Sequence, residues 1–426
     1  MTRVWSFFSG AGGLDLGLES VGLAPQLAVE LDPTCCATLT ANRAHLRVLE
    51  EDVCALREGD LRNAGGAAEV DLMVGGPPCQ SFSTGGGRAA LNDPRGNLIF
   101  VYLRLIEQIR PRAFVLENVA NLITAAIKHR PINQRPGKRW NLSSYSINNR
   151  QSEAAEEELL APLEPEELSG SAIAYLLDVL REKLEYSISL AMLNAADYGA
   201  PQRRLRLIIV GSRDAKAPTF PELTHGPDKD SPYTTVRDAI WDLRHSPGPG
   251  SAYTEDVRKI FDLIPEGKNW RSLSPDVARA AMGERSYLAG GGRVGFFRRL
   301  AWDEPAPTIT GRSNRKGSAL CHPEESRPLS VHECARLQGF PDDWSFAGSA
   351  AAQYLQVGNA VPIALGAAVG AVLVRHLDGA GEVETRSVAD MLAEATTCLR
   401  QAARNRRQGS ATASPAYQDS RCSDPA

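Results

Sequence analysis

The stretch with the clearest chemical potential is Gly75-Gly76-Pro77-Pro78-Cys79-Gln80-Ser81-Phe82-Ser83, where one cysteine follows two prolines. It comes directly after Val70-Asp71-Leu72-Met73-Val74, a short apolar run that predicts a buried strand ending in a glycine turn. Open α/β sheets hold their ligands in the crevice beyond the carboxyl ends of their strands, which is where Cys79 is expected. The prolines stiffen its approach, and Gly85-Gly86-Gly87-Arg88 supplies a hinge for a closing loop. A thiol on such a ledge reads as a nucleophile; the alternative is a buried structural cysteine. Glu117 ends a second predicted buried strand, Pro111 to Leu116, and so belongs at the same edge of the same sheet. It is either a proton-handling carboxylate or a satisfied structural acid. Arg204 and Arg206 alternate on entry to a third strand, Leu207 to Val210, so they share one face, as an anion clamp requires.

These groups need a scaffold. Val4 to Phe8 reads as a first strand, and Ser9-Gly10-Ala11-Gly12-Gly13 turns it into a helix through Glu19. Such a turn aims backbone N–H groups and a helix N-terminus at a ligand. Asp15 stands where the third glycine of a dinucleotide fingerprint would fall, which argues against a pyrophosphate cofactor. A second strand, Leu27 to Asp32, has an acidic end suited to ribose hydroxyls, and Glu51-Asp52 adds a carboxylate for an adenine amine. Together they describe an adenosine-type cofactor site. Helices are predicted over Ile99 to Ile109 and Ile173 to Leu184, and over Val331 to Gln338, where Ser330 and Glu333 form a capping box closed by Gly339.

Composition sets the outer bounds. The 426 residues suffice for one large and one smaller domain, and 43% hydrophobic with 23% charged residues is the balance of a soluble globular chain. A net charge of -4 does not exclude a nucleic-acid partner, because a cleft can be basic on an acidic protein. Eight cysteines without a CxxC pair suggest neither a disulfide framework nor a metal site, which suits a reducing cytoplasm. No signal-peptide pattern is present, and the apolar stretch Ile363 to Val374 is too short to span a bilayer, so no membrane role is expected. From Thr124 to Gly170 the periodicity fails, basic first and then acidic, as in an insertion. Asp214 to Arg327 is rich in Pro, Gly and aromatic residues. Its later half interleaves Arg285, Arg293, Arg298, Arg299, Arg312, Arg315 and Lys316 with Tyr287, Phe296, Phe297 and Trp302, a mixture suited to a phosphate backbone and splayed bases.

Seven elements occur in order: Phe8-Ser-Gly-Ala-Gly-Gly13, Glu30, Pro78-Cys79-Gln80, Glu117-Asn118-Val119, Gln202-Arg-Arg-Leu-Arg206, Arg336-Leu-Gln-Gly-Phe-Pro341 and Gly358-Asn-Ala-Val-Pro362. This series resembles the cytosine-C5 DNA methyltransferase family over nearly the whole chain to His376, without circular permutation. The resemblance implies an α/β fold: a Rossmann-like class I methyltransferase sheet with a smaller, irregular target-recognition domain. The expected divisions are 1–213 for catalysis and S-adenosylmethionine binding (with the insertion at 124–170), 214–326 for target recognition, 327–378 for the return to the catalytic domain, and 379–426 for a polar tail, disordered from about Gln401. Pro307-Thr308-Ile309 matches a short element common in such recognition domains.

The resemblance further implies methyl transfer from S-adenosyl-L-methionine to C5 of a cytosine flipped out of a specific duplex DNA sequence. Cys79 would add to C6, Glu117 would hold N3 and the exocyclic amine, and Arg204 and Arg206 would orient the base and assist at its carbonyl oxygen. Phe8, Gly10 and Gly12 would surround the cofactor, with Glu30 on the ribose, Asp52 on the adenine amine, Leu98 against the adenine, and Asn359 and Val361 completing the pocket. The implied partners are double-stranded DNA and a cognate restriction endonuclease, with a cytoplasmic enzyme acting on DNA as a monomer. Two other readings share the fold: a transfer-RNA cytosine-C5 methyltransferase, and a non-catalytic DNA-binding regulator. The large basic recognition segment favours duplex DNA over the first, and intact Cys79, Glu117, Arg204 and Arg206 argue against the second. Two departures from the family pattern are the long insertion and Ser330 and His332, which replace the more usual Thr and Arg.

Overall fold

The computed structural model describes residues 2–66, 69–78, 98–128, 163–214, 216–288, 296–312 and 320–408. Cys79, the Gly85–Gly87 hinge with Arg88, most of the 124–170 insertion, Arg293, Arg315, Lys316 and the chain after 408 lie outside the described residues.

The framework is a sheet of seven strands. Five run parallel: β1 (Val4–Phe7), β2 (Pro25–Glu30), β3 (Arg47–Glu50), β4 (Leu72–Gly75) and β5 (Ala113–Val119). They are linked through α1 (Gly13–Glu19), α2 (Pro33–Asn42), α3 (Glu58–Gly65) and α4 (Leu98–Ile109). After α5 (Ser171–Asp178) come β6 (Ser187–Asn194), the two-residue β7 (Gln202–Arg203) and β8 (Leu205–Ser212). The spatial order is β3-β2-β1-β4-β5-β8-β6, with β8 antiparallel to both of its neighbours. This is the expected Rossmann-like α/β sheet. Its order reverses between β1 and β4, which opens a crevice beyond their carboxyl ends.

Alternation along the strands gives each face its own core. Trp5, Phe7, Met73, Phe114, Leu116, Leu190 and Leu207 pack with α4 and α5 on one side. Val4, Leu72, Val74, Val115, Ile208 and Val210 pack with α1 and a late helix, Ile363–Leu377, on the other, so buried apolar residues read as continuous runs rather than alternating with polar ones.

The remaining elements, in order, are α6 (Val236–Ile240), α7 (Glu255–Asp262), α8 (Pro275–Met282), α9 (Glu284–Leu288), β9 (Arg298–Arg299), β10 (Ala306–Pro307), β11 (Leu320–Cys321), α10 (Val331–Gln338), α11 (Ala350–Asn359), α12 (Ile363–Leu377) and α13 (Val388–Gln408). Between α7 and β11 a separate small core forms from Val257, Phe261, Ile264, Trp270, Met282, Phe297 and Cys321.

Two boundaries differ from the sequence expectation. The second strand stops at Glu30 rather than Asp32, because the Asp32 carboxylate accepts the Thr34 and Cys35 N–H groups and caps α2. The stretch read as the start of a polar tail contains α13, which docks beside the edge strand β6 through Met391 and Ala395. Met391, Ala395, Cys398 and Leu399 recur at helical spacing, an apolar stripe hidden by polar overall composition.

The chain returns to the sheet through an unusually close helix crossing. A Cβ at Gly17 in α1 would collide with the Ile363 carbonyl oxygen and stand 2.6 Å from the Ala367 nitrogen, and a Cβ at Gly366 in α12 would stand 2.9 Å from the Leu14 carbonyl oxygen. Gly17→Ala is therefore expected to destabilise the fold by ~1–3 kcal/mol, since backbone obstacles cannot rotate away and outweigh the ~1 kcal/mol gain in helix propensity. Gly59, in α3, has open space where its Cβ would be. Gly59→Ala should instead stabilise by ~0.5–1 kcal/mol. Urea midpoints of the two variants check the pair, and a stabilised Gly17→Ala would contradict the close crossing.

Candidate active site

Because β8 runs against β5, its first residues meet the last residues of β5, and Val119 pairs with Arg206 across the ladder. An arginine from the start of one strand thus reaches a carboxylate from the end of another. Arg206 Nε lies 2.7 Å from Glu117 Oε1, and both side chains are about nine-tenths buried. Burial lowers the Arg206 pKa from its ordinary value, while the Glu117 charge and hydrogen bond oppose that loss.

The chain leading to Cys79 is tied to the same spot. Asn118 Nδ2 donates to the Pro77 carbonyl at 3.0 Å, and its Oδ1 accepts from the Val119 N–H at 2.9 Å. A Cβ at Gly76 would lie 2.9 Å from Glu117 Oε2, so only glycine lets the carboxylate sit against this backbone. The six described cysteines are Cys35, Cys36, Cys54, Cys321, Cys334 and Cys398. Burial pushes each of their thiols up, Cys36, Cys321 and Cys398 to about 12, which makes them inert at neutral pH.

Arg204 corrects the expectation that both arginines face a substrate. It is 2% exposed, and its guanidinium donates to the Ile309 carbonyl at 2.7 Å and the Gly358 carbonyl at 2.9 Å. Burial, reinforced by the Arg206 charge, lowers its pKa well below the ordinary arginine value. Its neighbours complete a buried node. Gln202 accepts from the Ile309 N–H at 3.0 Å and donates to Gln338 at 2.6 Å, Gln338 donates to the Val357 carbonyl at 2.6 Å, and Thr308 donates to the Arg203 carbonyl at 2.9 Å. Four segments far apart in sequence are thereby stitched beneath the crevice.

Of the residues expected at a cofactor, Phe8, Gly10, Gly12, Glu30 and Val361 meet at the turn after β1. Phe8, Gly10 and Gly12 are left-handed at φ 55°, 55° and 82°. The Glu30 carboxylate accepts from the Gly10 N–H at 2.7 Å and from the Leu31 and Asp32 N–H groups at 2.8 and 2.9 Å, joining the turn to the end of β2. Val361 closes against the same turn, because a Cβ at Gly13 would collide with its carbonyl oxygen. Asn359 is exposed at the end of α11, Asp52 is exposed with its carboxylate accepting the Cys54 N–H at 2.9 Å, and Leu98 is half-buried at the start of α4. A Cβ at Gly10 would meet nothing within 4 Å, so the turn opens onto free space beside Glu30. Leu31, which a strand running to Asp32 would not single out, is 61% exposed next to Glu30 and offers an apolar surface there. Open turn, carboxylates and apolar surface together fit a nucleoside cofactor.

The basic segment is also corrected. Arg299 is 7% exposed and donates to the carbonyls of Phe261 and Ile264, each at 2.7 Å, to that of His322 at 3.1 Å, and to Ser326 Oγ at 2.8 Å. Phe297 and Trp302 are buried too. Arg299 and Phe297 hold the small core together, while Trp302 packs into the neighbouring core with Val236, Leu300 and Ile309. Arg299→Ala should cost roughly 2–4 kcal/mol, because several buried carbonyls lose a charged donor at once. A urea midpoint at the wild-type value would return Arg299 to the surface.

A family model for C-5 cytosine-specific DNA methylases matches residues 2–133 and 169–375. The chain is similar to the type II methyltransferase M.PspPI of Psychrobacter sp. (strain TA137), 37% identical over 382 residues that span 88% of this chain and 79% of that one. M.Sau96I of Staphylococcus aureus is 33% identical over 381 residues, 88% of this chain and 76% of the relative. The fold is also that of a prophage-encoded Escherichia coli protein of solved structure, at TM-score 0.57 and 20% identity, covering 89% of this chain and all of the other. A match through both the Cys79 loop and the Glu117–Arg206 edge leaves one reading: the chain belongs to the C-5 cytosine-specific DNA methylase family and is a DNA (cytosine-5-)-methyltransferase.

Proposed function

We propose that this enzyme methylates C5 of a cytosine flipped out of a specific duplex DNA sequence, through a covalent bond between Cys79 and C6, as the modification partner of a restriction endonuclease. The observation that carries the reading is the buried Glu117–Arg206 pair beside the Pro77-Pro78 segment that leads into Cys79. The type II names of the relatives support the restriction–modification setting, and a DNA substrate is in keeping with a cytoplasmic enzyme. Acting alone on one flipped base, it works as a monomer.

C5 of cytosine is a weak nucleophile. Addition of the Cys79 thiolate to C6 forms an S–C6 bond and moves the C5–C6 π pair onto C5, with negative charge developing toward N3. Glu117 holds N3 and the exocyclic amine in this reading, and Arg206, paired with it at 2.7 Å, fixes the carboxylate's orientation and supplies positive charge near the base. Arg204 acts from behind, keeping Ile309 and Gly358 in place under the site. S-adenosylmethionine, when bound, supplies the methyl group as an electrophile. It would be held by the Phe8–Gly12 turn, with Glu30 toward the ribose, Asp52 toward the adenine amine, Leu31 and Leu98 offering apolar surface, and Asn359 and Val361 closing the pocket. Loss of the C5 proton to a base then expels Cys79 and restores the ring. Target recognition falls to residues 214–326.

A duplex carrying 5-fluorocytosine at the target tests this reading. Thiolate addition and methylation proceed, but C5 then holds fluorine where a proton must leave. A denaturation-resistant protein–DNA adduct is expected only with S-adenosylmethionine present, absent in Cys79→Ser and retained in Cys334→Ser. An adduct that maps to another cysteine would overturn the mechanism. Methyl incorporation into transfer RNA but not into duplex DNA would move the substrate to RNA.

A further inference from the structure

The turn that begins the site is anchored from two sides. From the crevice side, Glu30 holds the Gly10 N–H. From the buried side, a relay of side chains reaches it. Ser9 Oγ donates to Ser6 Oγ at 2.9 Å, and Ser6 Oγ donates to Asp15 Oδ1 at 2.6 Å. The Ser9 carbonyl in turn accepts the Gly12 N–H at 2.9 Å, which closes the turn. Phe8 in this turn is a non-glycine residue at φ 55°, a conformation that persists only where its surroundings enforce it.

Asp15 lies in the first turn of α1, 5% exposed, and its Oδ2 has no hydrogen-bond partner. It lines a cavity of about 10 Å³ with Glu19, Arg43, His45 and Trp344, whose buried Nε1 is likewise without a partner. A carboxylate placed this way is expensive to bury, so a merely structural role would be better served by asparagine. The charged and titratable groups around it come from several elements. Glu19 is on its own helix and is paired at 2.8 Å with Arg43 after α2, Glu30 ends β2, and His45 precedes β3.

We propose that Asp15 is a positioning residue of the cofactor turn, acting through Ser6 and Ser9, so that its charge tightens the turn and strengthens cofactor binding. This rests on the cofactor reading given above. A charge-assisted hydrogen bond from Ser6 is shorter and stronger than a neutral one, so ionised Asp15 holds Ser6, and through it Ser9, more firmly than protonated Asp15. Burial, opposed by the Ser6 bond and aided by the negative charges of Glu19 and Glu30, raises the Asp15 pKa to about 7. The sign follows: protonated Asp15 dominates below pH 7 and the turn loosens, and affinity for the cofactor rises as pH climbs through 7.

The test is calorimetry of S-adenosylmethionine binding to the full-length protein between pH 6 and pH 8, with unfolding midpoints measured alongside. The wild-type Kd is expected to tighten by roughly five- to tenfold over that range. Asp15→Asn keeps an acceptor for Ser6 but cannot ionise, and should hold a nearly constant Kd close to the wild-type value at the acidic limit. Ser6→Ala leaves the carboxyl in place but cuts the relay, and should flatten the profile in the same way even if Asp15→Asn folds poorly. A wild-type pH slope retained in Ser6→Ala, or in folded Asp15→Asn, would overturn the proposal. Glu30→Gln separates the two readings: it should weaken binding at every pH and keep a pH slope, its midpoint moved to lower pH because one of the charges that raises the Asp15 pKa is gone. Wild-type affinity in Glu30→Gln would remove the cofactor reading, and the role of Asp15 with it.

Discussion

Two opposite charges buried at one sheet edge set the terms for the rest of this structure. Glu117 and Arg206 face each other at 2.7 Å with little solvent access, and each would be costly without the other. Such a pair is a poor way to gain stability, because apolar residues of the same volume usually do as well or better. On the proposed function, its retention follows from what a carboxylate held in a dry, positively charged setting does for a base on which charge develops. The antiparallel entry of β8 follows from this requirement. A parallel strand would carry the arginine segment to the far end of the sheet, away from the carboxyl ends of β4 and β5.

Holding that edge open to a substrate requires rigidity beneath it. The node of Gln202, Arg204, Thr308, Ile309, Gln338 and Gly358 supplies it, with nearly every bond going to a backbone carbonyl or N–H or to a second amide. Backbone partners let these segments differ in side chain while keeping their relative positions. The crossing of α1 and α12 does the same for the cofactor turn, since both helices meet almost backbone to backbone. Site and scaffold are therefore one object: the residues that begin α1 also form the turn.

Much of this was legible in the sequence. Apolar runs ending in Gly75 and Glu117 located two strand ends at one edge, and the glycine turn and Glu30 located a third and fourth. What escaped were interactions set by distant partners. Arg204 reads as a substrate clamp by its spacing from Arg206, yet its partners lie 105 and 154 residues away and absorb its guanidinium. Arg299 and its aromatic neighbours carry the composition of a nucleic-acid surface, but a region short of long helices and strands needs a core, and they provide it. In α13 the apolar stripe was present but sparse, and composition outweighed period. In the sequence Asp15 reads only as a missing glycine. Its burial depends on α1 lying under the turn, which no local pattern states.

On the proposed function, the Glu117–Arg206 pair is kept for chemistry at the base rather than for stability. The Glu117→Gln/Arg206→Met double variant tests it most directly, because both charges leave together and the volume is nearly conserved. The measurement is the single-turnover rate of C5 methylation on a target duplex, taken with the unfolding midpoint and the S-adenosylmethionine Kd of the same protein. The expected result is a midpoint at or above the wild-type value, cofactor affinity within a few-fold, and a rate lower by roughly a thousandfold or more. A variant that methylates cytosine at a near-wild-type rate would contradict it.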